Sequence, residues 1–153
     1  MTTLINSGVA KTVLSGFKLE KTVKLMKLSF SRILLLHPDI DVTVDQWVIL
    51  HFLYIHKKLS QQELADLAFK DAPTITRMLD LMESKGLVVR HLDTDDKRKF
   101  KIKITDFGKE KHNIIEPLVD EFRSEAYAGL TDEQLTTLEI ALDTIFTNLS
   151  KSN

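Results

Sequence analysis

The sequence contains no cysteine, and only three prolines and five glycines occur among its 153 residues. Without a thiol, the chain cannot form a disulfide, use a cysteine nucleophile, hold zinc through thiolates or sense oxidants through cysteine. Scarce proline and glycine favour long helices, because these residues are the strongest breakers of regular structure. No apolar run approaches the roughly 20 residues that span a bilayer, and the first residues lack the blocks of a signal peptide. We therefore expect a cytoplasmic protein with no membrane partner.

Length and charge indicate a single globular domain, residues 1–153, with an uneven surface. A hydrophobic content of 43% and a charged content of 28% exclude a disordered chain. The formal net charge is −1, but it conceals a net +4 over residues 85–111 and a net −6 over residues 112–153. The basic stretch is therefore a candidate surface for a polyanion.

Apolar periodicity predicts two helices before residue 57. The first covers the segment from Lys18 to His37 and ends there, because Pro38 disfavours helix in the residue before it. The second is capped by Thr43 or Asp45 and runs to about residue 56.

Two shorter helices follow. The segment Ser60–Glu63 has the form of a capping box, which predicts a helix over 61–69. Asp71 can cap the next helix, and Gly86 is a natural stop after it. The apolar residues of that helix have the spacing of one helical face: Ile75, Met78, Leu79 and Met82.

The pattern changes to strands after residue 86. The segment 87–89 is rich in β-formers, and the apolar residues of 99–104 alternate with lysines at 99, 101 and 103. A polar, turn-prone segment at 93–98 separates the two strands, so a charged hairpin is expected. Helices over 105–128, with a kink or restart near Pro117, and from Thr131 onward complete the chain. The predicted fold is mainly α: a winged helix-turn-helix with a two-stranded β-wing, flanked by N- and C-terminal helices.

The helix-turn-helix predicts contacts with the major groove of double-stranded DNA. With its apolar stripe facing inward, the second helix of the motif exposes Thr74, Thr76 and Arg77, which suit base edges and phosphates. Lys70 precedes the helix, where phosphates would pass. A plain solvated surface is the alternative interpretation of this face.

The hairpin tip predicts a second contact. Lys97, Arg98 and Lys99 lie there, and an arginine has the reach to enter a narrow minor groove. Asp96 can pair with Arg98 and fix its direction. Alternatively, the pair only stabilises the turn, and the strand lysines only form the wet face of an edge strand.

The order of these motifs resembles the MarR-type transcriptional regulators over roughly residues 17–149. The resemblance rests on these segments: Ser60–Ala68, Thr74–Arg77, Leu81–Val88, Asp96–Arg98 and Ile104–Gly108. It implies a homodimer in which residues 17–37 and 105–150 form the dimerisation helices and residues 43–104 form the DNA-binding lobe. Such a protein would repress a pseudo-palindromic operator and be released by a small amphipathic or phenolic ligand. The order of the segments places Leu28 near the cleft for this ligand together with four candidate ligand-binding residues, Arg32, His37, Trp47 and His51; Trp47 is alternatively a core residue.

Other functions have weaker support. The chain has no P-loop, no dinucleotide-binding glycine motif and no nucleophile elbow, so we expect neither an enzyme nor a cofactor. His112 and Glu116 are spaced i, i+4, which permits a metal pair, but one such pair is common by chance and no metal site is expected. A winged-helix protein that captures another protein without binding DNA is the principal alternative, and a small helical enzyme with an unrecognised site is the third.

Overall fold

The structure is a computed structural model that describes the backbone of residues 2–152 and the side chains of residues 16–152. Within these residues the elements are α1 (Thr2–Leu35), α2 (Val44–His56), β1 (Lys58–Ser60), α3 (Gln61–Ala68), α4 (Ala72–Ser84), β2 (Val88–Leu92), β3 (Phe100–Ile104), α5 (Asp106–Ala126) and α6 (Asp132–Ser150). The chain forms two compact units, residues 1–120 and residues 121–153, and α5 begins in the first and ends in the second. The sequence did not predict this division.

The starts of α2, α3 and α4 follow the predicted caps, whereas α1 begins at Thr2, well before the predicted start at Lys18. The structure selects Thr43 for α2: its hydroxyl accepts from the Gln46 N–H at 3.2 Å, and the Gln46 side chain accepts from the Thr43 N–H at 3.2 Å. Ser60 and Glu63 form the same reciprocal box at α3, and Asp71 accepts from the Thr74 N–H at 2.8 Å at α4. Each cap satisfies a donor that the helix itself leaves unpaired.

Helix ends also follow local chemistry. The first helix stops at Leu35, just before the predicted stop at Pro38. Gly86 follows α4 with a φ of 76°, a conformation that glycine adopts without steric cost. Helix α5 continues through Pro117 as one element.

The sheet corrects the predicted number of strands. It is antiparallel with three strands in the order β1-β3-β2. The hairpin of β2 and β3 was expected, whereas β1 was not, because three residues are too short to show a period of two. In β1, the buried Leu59 lies opposite the buried Ile102 of β3.

The core of the first unit is built from one face of each element. As the spacing predicts, Ile75, Leu79 and Met82 of α4 are fully buried, and Met78 is half-buried. The other fully buried apolar side chains among the described residues are Ile40, Ile49, Leu50, Leu53, Leu64, Leu87, Ile102 and Ile115. This packing fixes the orientation of α4, so the opposite face of α4 is the one that meets solvent.

A close contact joins α5 to the sheet. A Cβ added to Gly108 would lie 2.2 Å from the carbonyl oxygen of Leu87. The hydroxyl of Thr105 accepts from the Gly108 N–H at 2.9 Å and donates to the Gly86 carbonyl at 2.5 Å, and the Leu87 carbonyl lies 3.1 Å from the same hydroxyl. The spacing of Thr105 and Gly108 is thereby explained by packing: only glycine lets α5 approach the backbone after α4.

The second unit presents an uncovered apolar face. Thr131 and Gln134 form a capping box at the start of α6, but no residue of α6 is buried. The exposed large apolar residues of that face are Leu138, Leu142, Ile145, Phe146 and Leu149, and Ile140 is exposed on the other side of the helix. None of the helices in the described part of the chain is both long enough and apolar enough to cross a bilayer.

Candidate nucleic-acid interface

Helices α3 and α4 form a helix-turn-helix. The turn begins at Phe69, which adopts the left-handed conformation with φ 50° and ψ 54°. The N–H of Lys70 donates to the Ala65 carbonyl at 2.9 Å, which closes the last turn of α3. The buried stripe of α4 leaves Thr76 and Arg77 exposed and Thr74 half-buried at the solvent side of the motif.

Two of these side chains are linked to each other. An Nη of Arg77 lies 3.4 Å from the Thr74 hydroxyl, a long contact that an approaching base or phosphate can replace. The backbone N–H of Thr74 lowers the pKa of the capping Asp71, and the Thr74 hydroxyl adds to the effect. The start of α4 is therefore capped, whereas the guanidinium of Arg77 stays exposed.

Thr76 has a different hydrogen-bonding role from the one expected. Its hydroxyl donates to the Ala72 carbonyl at 3.0 Å and accepts from the Gln61 side chain at 3.1 Å. Since both functions of the hydroxyl are used inside the motif, the methyl group is what Thr76 offers to a partner. Gln61, which the sequence analysis did not single out, couples α3 to α4 through this contact.

Lys70 lies beside the start of α4, but its charge is partly compensated. Its ammonium is 3.5 Å from a carboxylate oxygen of Asp45, which also accepts from Lys27 at 3.0 Å. Burial would raise the pKa of Asp45, but the hydrogen bond and charge of Lys27, together with Lys70, outweigh it and lower that pKa. A phosphate contact by Lys70 would therefore compete with Asp45.

The wing tip holds its arginine in a defined direction. The Nε of Arg98 donates to a carboxylate oxygen of Asp96 at 3.2 Å, and the Arg98 backbone N–H donates to the same oxygen at 3.1 Å. These bonds lower the pKa of Asp96, the backbone bond most strongly. The Arg98 side chain is nevertheless 92% exposed, and Lys97 and Lys99 beside it are exposed as well.

Arg90 ties the wing to α4, and the sequence analysis missed it. Its guanidinium donates to Asp80 at 2.8 Å and to Glu83 at 3.1 Å, and its backbone N–H donates to Glu83 at 3.0 Å. The side chain is only 17% exposed. The one available signal was an arginine in a strand that follows a helix with two acidic residues on its open face.

The four residues implied for a ligand cleft do not form one cluster. Trp47 is buried and stacks on His51 with ring centroids 5.1 Å apart. His37 is exposed and lines a cavity of about 310 Å³ together with Leu34 and Val42. Arg32 is exposed and lines neither that cavity nor the cavity between α1 and α2 described below.

A larger cavity lies between α1 and α2. Its volume is about 410 Å³, and it is lined by Val23, Lys24, Lys27, Leu28, Ser31, Thr43, Val44 and Asp45. Apolar side chains and two ammonium groups share this space, so its chemistry suits a small amphipathic molecule.

A helix-turn-helix followed by a β-hairpin whose tip carries exposed cations defines a winged helix protein. Residues 40–99 match the model of the MarR family. A mutant of E. coli MarR complexed with operator DNA is 25% identical, with a TM-score of 0.79 over 88% of this chain and 95% of that chain. The S. aureus MepR–DNA complex is 23% identical, with a TM-score of 0.78 over 88% and 95%.

A third structure concerns regulation. It is BpsR from Bordetella bronchiseptica, whose DNA binding is regulated by 6-hydroxynicotinic acid. BpsR is 18% identical, with a TM-score of 0.77 over 85% of this chain and 91% of that chain. Together with the match over residues 40–99, these findings confirm the resemblance seen in the sequence: this segment matches the MarR family, and the chain has the fold of the MarR-type winged helix proteins. The matched proteins named here are regulators and DNA-binding proteins rather than enzymes.

Proposed function

We propose that the protein is a homodimeric repressor of a pseudo-palindromic operator and that a small ligand releases it. One observation carries the proposal: the open face of α4 and the exposed Arg98 belong to a lobe in which Arg90 joins α4 to the wing. The lobe thus offers two DNA-contacting elements with a fixed relation to each other.

The open face of α4 would enter the major groove. Arg77 can donate two hydrogen bonds to a guanine, the Thr74 hydroxyl can contact a phosphate or a base edge, and the Thr76 methyl suits a thymine methyl. The start of a helix also favours a phosphate. Lys70 would bind that phosphate once it leaves Asp45.

The wing would contact the neighbouring minor groove. Arg98 extends from the tip, and the negative potential of a narrow minor groove attracts a guanidinium. Lys97 and Lys99 flank it and would contact phosphates, which adds affinity without sequence preference.

A dimer would supply the second half-site. Two recognition helices must lie about one helical turn of DNA apart, roughly 34 Å, to bind both halves of a palindrome. The uncovered apolar face of α6 supports dimerisation, because burial of such a face against a second copy removes it from water. We propose that residues 17–37 and 105–150 form that interface.

The cavity between α1 and α2 is the proposed ligand site. An amphipathic or phenolic molecule can place its ring on Val23 and Leu28 and its polar group near Lys24 or Lys27. The reported regulation of BpsR by 6-hydroxynicotinic acid supports a small aromatic effector. Such a ligand acts only if it binds the DNA-free arrangement of the lobes more tightly than the DNA-bound one. A regulator of this kind would work in the cytoplasm, beside the DNA.

Fluorescence anisotropy tests the proposal with a labelled duplex from the DNA upstream of the protein's own gene and a scrambled duplex, over a series of salt concentrations. Tight, sequence-dependent binding with a steep salt slope is expected, because phosphate contacts release counterions. Selection from random DNA would supply another operator if the two duplexes bind equally. A protein that selects no sequence and binds no duplex at low salt would contradict the proposal and favour the protein-capture function.

A further inference from the structure

Three potential metal ligands converge between α2 and α5, in the first unit of the chain. They are His51 of α2 and His112 and Glu116 of α5, and their ligand atoms all lie within 4.8 Å of one another. The i, i+4 pair on α5 is visible in the sequence, whereas His51 lies 61 positions before His112 in the chain. Folding brings His51 next to the pair on α5, so three potential metal ligands lie together.

The two imidazoles present nitrogens to each other at a distance that suits metal coordination. The Nδ1 of His51 lies 3.1 Å from the Nε2 of His112. In a tetrahedral zinc site with bonds of about 2.0–2.1 Å, two ligand atoms are about 3.4 Å apart. A shift of a few tenths of an ångström would therefore admit an ion between these nitrogens.

The ring of His112 is held in this orientation by its surroundings. His112 is fully buried, and the ring of Tyr54 stacks on it with centroids 4.1 Å apart and an interplanar angle of 8°. The ring of His51 is nearly parallel to that of His112, at 13°. Since stacking limits rotation of the imidazole, Nε2 remains directed toward His51, and little ordering is needed when an ion binds.

Glu116 can complete the set from the surface. It is exposed on the helical turn after His112, and it forms no ion pair with the side chains that the structure describes. Rotation of an exposed carboxylate needs no repacking, so its oxygen can close the remaining distance to an ion. Its negative charge would offset part of the charge of a divalent cation.

We propose that His51, His112 and Glu116 bind one divalent transition-metal ion of the zinc type. Two imidazoles and one carboxylate are a ligand set that zinc accepts, with a water molecule in the fourth position. Magnesium and calcium prefer oxygen ligands throughout and are poor candidates. The ion would cross-link α2 to α5 and stabilise the first unit. The alternative is an imidazole pair joined only by a hydrogen bond, with no affinity for metal.

Direct titration tests the proposal on the full-length protein after treatment with a chelator. Competition with a chromophoric chelator measures Zn²⁺ affinity and stoichiometry, and the visible absorption of Co²⁺ reports coordination geometry. We expect one Zn²⁺ per chain, a tetrahedral Co²⁺ spectrum that Zn²⁺ abolishes, and a rise in melting temperature with Zn²⁺ but not with Mg²⁺.

Matched variants locate the site. Glu116→Gln and His51→Ala should each weaken Zn²⁺ binding by at least about tenfold. Glu110→Gln on the same helix and His56→Ala on α2 should leave it unchanged, since both residues are exposed and lie outside the cluster. Circular dichroism checks that each variant is folded, and Glu116→Gln decides the matter if His51→Ala does not fold. Absence of Zn²⁺ binding, or equal binding by Glu116→Gln and the unsubstituted protein, would overturn the proposal.

Discussion

Arg98 is almost fully exposed, yet two hydrogen bonds to Asp96 give it a direction. If its guanidinium enters the minor groove, Arg98→Ala should weaken operator binding and reduce the slope of log K against log salt by about 1 per protomer. The dimer should persist, because the wing tip lies outside the proposed interface. Anisotropy over a salt series measures the slope, and sedimentation measures the dimer. An unchanged affinity would remove the wing from the interface.

Asp96→Asn separates orientation from charge. Removal of a negative charge by itself should strengthen binding to a polyanion. Loss of the fixed Arg98 direction should weaken it, because the arginine must then be ordered on binding. We expect net weakening of operator binding with a salt slope close to that of the unsubstituted protein. Tighter binding would show that Asp96 acts only through its charge.

Gly108 is constrained by packing rather than by its backbone conformation. A Cβ there would lie 2.2 Å from the Leu87 carbonyl oxygen and 2.8 Å from the Ile104 side chain. Since the oxygen belongs to the backbone, it cannot move aside easily, and α5 must shift. Gly108→Ala should lower the free energy of unfolding by about 1–3 kcal/mol. Urea denaturation measures this; Gly16→Ala in α1, where a Cβ meets nothing within 4 Å, is the control.

Asp45 should make stability depend on pH below neutrality. Burial would raise its pKa, but Lys27 and Lys70 outweigh this, so the folded pKa lies below the usual 3.8. A group with a lowered folded pKa stabilises the protein above its unfolded pKa, and this contribution disappears as the pH falls through the folded pKa. The urea midpoint of Asp45→Asn should therefore be lower than that of the unsubstituted protein at pH 6. The difference should shrink toward pH 3; a constant difference would point to another cause.

Among the elements, α4 and β2 depend on each other through Arg90. Its half-buried guanidinium bonds to Asp80 and Glu83, and neither carboxylate has another cationic partner in the described part of the chain. Arg90→Ala should lower the free energy of unfolding by about 1 kcal/mol or less, because both carboxylates are exposed to water and ion pairs of this kind contribute little. It should also weaken operator binding more than this loss explains, since the wing is no longer tied to the recognition helix.

The control for Arg90 is Arg123→Ala, at an exposed cation in the last turn of α5. Urea denaturation gives the stability of each variant, and anisotropy at a temperature where both remain folded gives operator affinity. If Arg90→Ala lowers the free energy of unfolding but leaves operator affinity unchanged, the Arg90 contacts only stabilise the lobe.

The elements were largely predictable because their signals are local. Capping boxes at Ser60 and Thr131, the acidic cap at Asp71 and the glycine after α4 mark boundaries within a few residues of each helix end. The three residues of β1 carry no such signal. They become a strand only because β3 offers its free edge at Lys101–Lys103, which is a tertiary event.

At the scale of the whole molecule, α6 determines whether the proposed dimer forms. Leu142 and Ile145 are exposed on its apolar face, and a glutamate there would place a charge inside a buried interface. Leu142→Glu or Ile145→Glu should convert the dimer to monomers and weaken operator binding steeply. Analytical ultracentrifugation measures the conversion. Thr144→Glu, on the opposite side of α6, should leave the dimer intact.

A protein that is already monomeric before substitution would contradict the proposed dimer directly. A dimer that survives both substitutions would contradict the assignment of α6 to the interface. Sedimentation of the unsubstituted protein distinguishes these two results.

The sequence by itself determined the winged helix, its boundaries and the identity of the exposed cations, because periodicity, caps and turn chemistry act over a few residues. Only the tertiary structure decided which polar groups remain available. It used both functions of the Thr76 hydroxyl, paired Lys70 with Asp45, and packed Arg90 against α4. It also brought His51 to His112 and Glu116. These contacts join residues that are distant in the chain, and the packing of helices that creates them leaves no local pattern in the sequence.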